Sequence, residues 1–169
     1  MDLSTAKMLA GIGMILKLLG VFPTVGWIFS LVGLILFLIG IYNISQMTNE
    51  KRIFNYLLIP AVLLLIVSVI FSVVLFGALL TRGLFAGGVA VAGFVTIVVL
   101  GIVALVYKMK AYRMLAEVLK VPIFNTAASF YKWGAILLVV FGIGFVLMFV
   151  GDILAIVGFF SKPSEEISS

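Results

Sequence analysis

The stretch YLLIPAVLLLIVSVIFSVVLFGALL, from Tyr56 to Leu80, contains no charged side chain. About 20 predominantly apolar residues are enough for a helix to cross the hydrocarbon core of a bilayer. Lipid offers the backbone no hydrogen-bond partners, so a spanning segment must be a helix or part of a closed barrel. The alternating pattern of a barrel strand is absent from this stretch. It therefore predicts a membrane-spanning α-helix and an integral membrane protein.

The composition of the whole chain supports the same class and argues against catalysis. Of 169 residues, 65% are hydrophobic and 10% are charged, against about 45–50% and about 25% in soluble domains. There is no cysteine and no histidine, which removes thiolate chemistry and the commonest general base and metal ligand. Only Glu165 and Glu166 place two acids side by side, in a polar tail. We expect no enzymatic activity, no metal and no cofactor.

Apolar runs divide the chain into six helices, which we predict to form three hairpins in an all-α, polytopic membrane bundle. Gly20, Pro23 and Gly26 predict a turn after the first helix, because proline lacks an amide hydrogen and glycine lets the backbone reverse. The last run, Tyr131–Phe160, would be about 45 Å long as one helix, longer than the core of about 30 Å. A break near residues 141–144 gives six helices, and its absence gives four or five. The predicted helices are 4–20, 24–45, 53–80, 84–107, 127–142 and 145–161, in one domain, 1–161, before a polar tail, 162–169.

A faint internal similarity favours repeated hairpins. Gly33–Gly40 and Gly151–Gly158 share the pattern G-x-I-L-x-x-x-G. Internal repeats are common in membrane transport folds, but they also occur in proteins that transport nothing. Coincidence is the alternative in a composition as biased as this one.

The basic residues indicate orientation. With the N-terminus on one side, nearly all lysine and arginine residues fall on that side, and Arg82 falls on the other, with Lys17 near its edge. The positive-inside rule then predicts a multi-pass protein of the cell membrane with both termini in the cytoplasm. The formal charge of +5 indicates attraction to anionic lipid rather than to nucleic acid. The predicted cytoplasmic set is Lys7, Lys51, Arg52, Lys108, Lys110, Arg113, Lys120, Lys132 and Lys162.

The stretch KMKAYRMLAEVLK, residues 108–120, predicts an interfacial amphipathic helix. At 100° per residue, the side chains of Lys110, Arg113 and Lys120 share one face, and apolar side chains lie opposite. We expect Lys108, Lys110, Arg113 and Lys120 to contact anionic lipid headgroups. A solvated linker that only fixes the topology is the alternative.

Small residues at the start of the fourth helix predict close helix packing. Gly83 and Gly87 form a G-x-x-x-G pair, and small residues let helices approach closely in lipid. The seam lies either inside the monomer or between two copies of the chain.

Lys17 and Asp152 are the charges that lie well inside apolar sequence. An unpaired charge at that depth costs roughly 2.5–3.5 kcal/mol on insertion scales. Their opposite signs predict an ion pair between the first and last helices. A proton- or cation-handling role for Asp152 is the alternative.

Several features together make the chain similar to a family of small polytopic membrane proteins of unknown function, found mainly in archaea. They are LAGIGMILKLLG (residues 9–20) with the proline and glycine that follow, a glycine-rich second helix reaching Tyr42, and the helix starts Phe54-Asn55 and Phe124-Asn125. The resemblance carries no functional residue. We expect a non-catalytic membrane component (a scaffold, accessory or lipid-interacting protein) that contacts the bilayer and pairs with a second copy or another membrane protein. The alternative is a small oligomeric transporter or channel.

Overall fold

The computed structural model describes residues 1–21, 26–80, 86–141 and 143–163, and these form six α-helices and no strand. The all-α prediction is therefore confirmed, including a third hairpin. The predicted break near residues 141–144 falls where one helix ends at Phe141 and the next begins at Ile143. The helices are α1 Leu3–Leu18, followed by a 3₁₀ turn Leu19–Val21, α2 Gly26–Met47, α3 Lys51–Leu80, α4 Ala86–Leu119, α5 Ile123–Phe141 and α6 Ile143–Phe160.

Four of the described helices, α2, α3, α4 and α6, are long and apolar enough to cross a membrane. This indicates a multi-pass membrane protein. By contrast, α1 has 16 residues, a length of about 24 Å that is short of the hydrocarbon core of about 30 Å.

The helices form three antiparallel hairpins, which are α1 with α2, α3 with α4, and α5 with α6. In addition, α1 packs against α6. The start of α1 and the end of α6 meet directly, because the Lys7 ammonium donates a hydrogen bond of 2.6 Å to the Ser161 carbonyl oxygen. A cation at this position also suits the negative end of the α6 dipole.

Asp2 caps the start of α1 by accepting a 3.0 Å hydrogen bond from the Thr5 amide. Hydrogen bonding to Thr5 lowers the pKa of the Asp2 carboxyl below its ordinary value.

Glycines hold α1 and α2 at backbone contact. A Cβ added to Gly33 would lie 2.5 Å from the Lys17 backbone nitrogen and 2.6 Å from the Gly13 carbonyl oxygen. One added to Gly40 would lie 2.5 Å from the Ala10 backbone nitrogen. Because backbone atoms cannot move aside as a flexible side chain can, the two helices approach this closely only with glycine at these positions.

Two glycines of α6, Gly151 and Gly158, make room for aromatic rings instead. A Cβ on Gly158 would lie 2.7 Å from the Phe124 ring, and one on Gly151 would lie 3.3 Å from the Tyr131 ring. These rings belong to a buried aromatic cluster in which Tyr112 stacks on Tyr131 with centroids 5.2 Å apart. The cluster joins α2, α4, α5 and α6, and its members are Phe37, Tyr112, Phe124, Tyr131 and Phe159.

The segment 108–120 is not a separate interfacial helix. Residues 108–119 form the last part of α4, which runs without interruption from Ala86 to Leu119, and Lys120 follows the helix end. Tyr107 and Lys108 are followed by neither proline nor glycine, so nothing ends the helix at that point. The buried stripe of α4 continues through this segment. Its members are Ala104, Leu105, Ala111, Tyr112, Leu115, Ala116 and Leu119.

The predicted Gly83–Gly87 seam falls largely outside the described residues. Gly83 belongs to the range 81–85, which the structure does not describe, and the surroundings of Gly87 at the start of α4 are likewise not described. The seam between these two glycines stays a prediction.

Candidate functional site

A carboxylate inside the bundle is bound from two helices. The Asp152 Oδ1 atom on α6 accepts a 2.9 Å hydrogen bond from the Lys108 ammonium on α4. The same oxygen accepts a 2.5 Å hydrogen bond from the Tyr131 hydroxyl on α5. Lys108 also lies over the Tyr131 ring, 4.6 Å from its centroid. The contacts give this carboxylate one cation and one neutral donor, as a buried charge requires.

Lys17 lies beside this pair without joining it. Its side chain lines the same cavity as Lys108 and Asp152 and is close enough for the three charges to interact. Within the described residues it makes no ion pair and no side-chain hydrogen bond. The group therefore combines one paired lysine, one aspartate and one lysine without a direct partner.

The predicted ion pair joined Asp152 to Lys17, but the structure shows Lys108 as the direct partner of Asp152. Lys108 makes the direct contact, so it does not face lipid headgroups as the sequence predicted. The reason is the continuity of α4: Lys108 is four residues after Ala104 and four before Tyr112, both of which are buried. This spacing points the three side chains to one side of a helix. The prediction failed because it ended the fourth helix at residue 107.

The three charges stand at one end of a cavity of about 630 Å³ between α1, α3, α4 and α6. Along α4 the lining stripe runs from Ile97 to Lys108, about 16 Å at 1.5 Å per residue. Along α6 it ends at Asp152, and along α3 it begins at Pro60. Away from these charges the walls are apolar, lined by Leu63, Leu64, Val67, Val98, Leu100, Gly101, Phe145, Met148 and Phe149.

A smaller cavity of about 250 Å³ adjoins the charges on the side of α2. Lys17 and Lys108 line it as well, together with Ser30 and Ser68. The Ser68 hydroxyl donates back to the Leu65 carbonyl oxygen at 2.7 Å. Hydroxyls of this kind donate to carbonyl oxygens of their own helix. The charged groups that line this cavity are the two lysines.

A second group of basic residues faces outward on the last part of α4, directly after it, and on α5. Lys110, Arg113, Lys120 and Lys132 are exposed, and we call them the basic face. Trp133, which is 55% exposed, lies beside Lys132, whose ammonium is 5.9 Å from the indole centroid. Tryptophan and lysine together are typical of the boundary between lipid and water. The structure thus keeps three of the four candidate headgroup contacts on the surface.

Two comparisons with known proteins gave a match. Residues 29–153 match the model of a family described as "Protein of unknown function (DUF996)". The chain belongs to this family. It is also 31% identical over 172 aligned residues to "Uncharacterized protein MJ1644" of Methanocaldococcus jannaschii, covering 98% of this chain and 96% of the relative. The similarity to a mainly archaeal family of unknown function, predicted from sequence, is confirmed. No solved structure matches the chain.

The family match contains most of the charged group but not all of it. Lys108 and Asp152 lie inside the matched residues 29–153, while Lys17 lies before them. Lys17 is included in the alignment with the archaeal relative, which covers almost the whole chain. The site therefore joins a helix outside the family match to helices within it.

Proposed function

We propose that this protein is a non-catalytic component of the cell membrane that interacts with anionic lipids through its basic face. The observation that supports it most directly is the exposure of Lys110, Arg113, Lys120 and Lys132, with the exposed Trp133 beside Lys132. Each basic residue near an anionic surface contributes about 1 kcal/mol of attraction. An apolar groove of about 370 Å³ between α4 and α5, which Lys132 helps to line, offers room for an acyl chain beside these charges.

The absence of catalysis is part of this proposal. Among residues 1–21, 26–80, 86–141 and 143–163, no group of three potential ligands could hold a metal ion. Asp152 is the acid inside the bundle, and its Oδ1 atom already accepts hydrogen bonds from Lys108 and Tyr131. We propose a scaffold, accessory or lipid-interacting protein, with a second copy or another membrane protein as its expected partner.

Anionic lipid is expected to stabilise the wild-type protein more than neutral lipid does. The thermal midpoint Tm should be higher in nanodiscs containing phosphatidylglycerol than in nanodiscs of phosphatidylcholine alone, and high salt should reduce the difference by screening. The variant Lys110→Glu/Arg113→Glu should lose most of the difference. Glu117→Gln is the matched control on the same exposed stretch, and it should increase the difference because it removes a negative charge. Equal Tm values in both lipids for all three proteins would contradict the proposal.

We also propose that the end carrying the basic face is cytoplasmic. Ser4 and Asn125 are exposed near the starts of α1 and α5, and the chain has no native cysteine. Ser4→Cys and Asn125→Cys should each resist an impermeant maleimide on intact cells and react after permeabilisation. Labelling of both from outside would reverse the orientation, and labelling of only one would place the two helix starts on opposite sides.

Transport is the second candidate, and the ionic group at the cavity favours it. Asp152 and Lys17 lie inside apolar sequence, and Lys108 pairs with Asp152 in the bundle. Charged residues so placed are the kind that mark ion or substrate pathways. Under this alternative, proteoliposomes should show a proton or cation flux that Asp152→Asn abolishes and Lys17→Met changes little.

A further inference from the structure

The cavity between α1, α3, α4 and α6 is amphipathic along its length. Its charged residues, Lys17, Lys108 and Asp152, are confined to one end, while the rest of its wall is apolar. Its volume of about 630 Å³ is within the range of about 300–1,000 Å³ that small-molecule sites occupy. This division fits a ligand with a charged head and an apolar chain.

The charged end has an excess of one positive charge. Two lysines and one aspartate have a formal sum of +1, and Asp152 already accepts hydrogen bonds from Lys108 and Tyr131. Lys17 lines the same two cavities as Lys108, and the two ammonium groups are close enough to interact inside the bundle. Like charges so placed repel more strongly than they would in water. A bound anion would pair with Lys17 and offset this repulsion.

We propose that this cavity binds a single anionic amphiphile, with its carboxylate or phosphate head at Lys17 and its apolar chain along α3, α4 and α6. A small inorganic anion would satisfy the lysine but would leave the apolar walls uncovered. A neutral apolar molecule would cover the walls but would leave Lys17 without a direct ionic contact. Only a molecule with both parts matches the whole lining.

The level of the charged end agrees with such a ligand. Tyr131 points inward to Asp152, whereas the next two residues, Lys132 and Trp133, are exposed. Exposed lysine and tryptophan are typical of the membrane interface. The head would therefore lie at the depth where lipid headgroups lie, and the chain would extend toward the hydrocarbon core.

The inference specifies a ligand for the lipid interaction proposed above, but it depends on a different surface. The test uses the purified full-length protein in a nonionic detergent, with hexadecanoate as the probe. Methyl hexadecanoate and inorganic phosphate serve as matched probes that lack the charge or the chain. Native mass spectrometry should detect one hexadecanoate per chain, and only hexadecanoate should raise Tm. Equal binding of the methyl ester would overturn the role of Lys17, and equal stabilisation by phosphate would reduce the site to an anion site.

Two variants separate the head site from the chain site. Lys17→Met should weaken hexadecanoate binding at least tenfold, while Lys17→Arg should retain it. Val67→Trp adds bulk to the apolar wall without changing any charge, and it should also weaken binding at least tenfold. Lys51→Gln is the exposed control, outside both the cavity and the basic face, and should bind as the wild type does. Wild-type affinity in both Lys17→Met and Val67→Trp would overturn the proposal, even if one of the two variants were poorly stable.

The basic face and the cavity can fail independently. Lys17→Met should retain the extra stability given by phosphatidylglycerol nanodiscs, and Lys110→Glu/Arg113→Glu should retain hexadecanoate binding. Loss of the nanodisc effect with intact, Lys17-dependent hexadecanoate binding would reject the proposed function alone. The reverse result would reject the cavity ligand alone.

Discussion

Removing either charge of the Lys108–Asp152 pair is expected to lower the free energy of unfolding by about 3 kcal/mol. The variants are Lys108→Met and Asp152→Asn. Each leaves the other charge inside the bundle without its direct partner, where side-chain exposures are only 13% for Lys108 and 19% for Asp152. The double variant should lose clearly less than the sum of the two single losses, because it leaves no uncompensated member of the pair.

Unfolding of the purified protein by a denaturing detergent would measure these differences. Lys110→Met is the matched control, since it makes the same substitution two residues further along α4 at an exposed position. It should change the free energy of unfolding by less than about 0.5 kcal/mol, as surface substitutions usually do. Additive losses in the Lys108/Asp152 cycle would contradict a direct pair.

The same cycle with Lys17→Met compares the partner seen in the structure with the one predicted from sequence. Its coupling to Asp152→Asn should be smaller than that of Lys108→Met, because Lys17 makes no direct contact with the carboxylate and is repelled by Lys108. Equal or larger coupling would restore Lys17 as the principal partner. A flux in proteoliposomes that disappears with Asp152→Asn would instead give the carboxylate a role in transport.

Sequence reasoning predicted the helical architecture because the bilayer restricts the possibilities so strongly. The uncharged run Tyr56–Leu80 had to be a helix, and the excessive length of Tyr131–Phe160 required a break, which the structure places between Phe141 and Ile143. Lengths and hydrogen-bonding requirements determine these features without any knowledge of packing. Where the chain gave no such physical limit, as at Lys108, the predicted helix end was wrong.

Partners across helices could not be derived in the same way. The positions of Lys17 and Asp152 in apolar sequence were evident, but the chain does not reveal the rotation of α4 that turns Lys108 inward. The signal that was available is the four-residue spacing from Ala104 to Lys108 and from Lys108 to Tyr112. It makes Lys108 part of an inward stripe once α4 is allowed to continue.

A second signal lay in the spacing of glycines. Gly26, Gly33 and Gly40 recur every two helical turns in α2, as do Gly144, Gly151 and Gly158 in α6. All six are buried. The predicted repeat relates only Gly33–Gly40 to Gly151–Gly158, and the predicted seam lies at Gly83 and Gly87. The spacing shows that each helix has a continuous small-residue face, but only the structure distinguishes a face for backbone contact from one for aromatic rings.

Gly33→Ala is expected to destabilise the protein by about 3 kcal/mol, at the upper end of the range for overpacking. The added methyl group would meet the Lys17 backbone nitrogen at 2.5 Å and the Gly13 carbonyl oxygen at 2.6 Å. Neither atom can turn away, so α1 and α2 must separate along their length. Small-residue contacts are a main source of stability between helices in lipid, where apolar side chains gain nothing by leaving their surroundings.

Gly77→Ala on α3 is the matched control, because a Cβ at that position meets nothing within 4 Å. Alanine is favoured over glycine inside a helix by about 1 kcal/mol, so this variant should be as stable as the wild type or slightly more stable. The two variants differ only in what surrounds the same methyl group, and unfolding in the denaturing detergent compares them directly. Since Gly33 contacts the backbone of Lys17, its variant should also weaken hexadecanoate binding, which Gly77→Ala should leave unchanged. Equal stability of the two variants would show that α1 and α2 are not in backbone contact at Gly33.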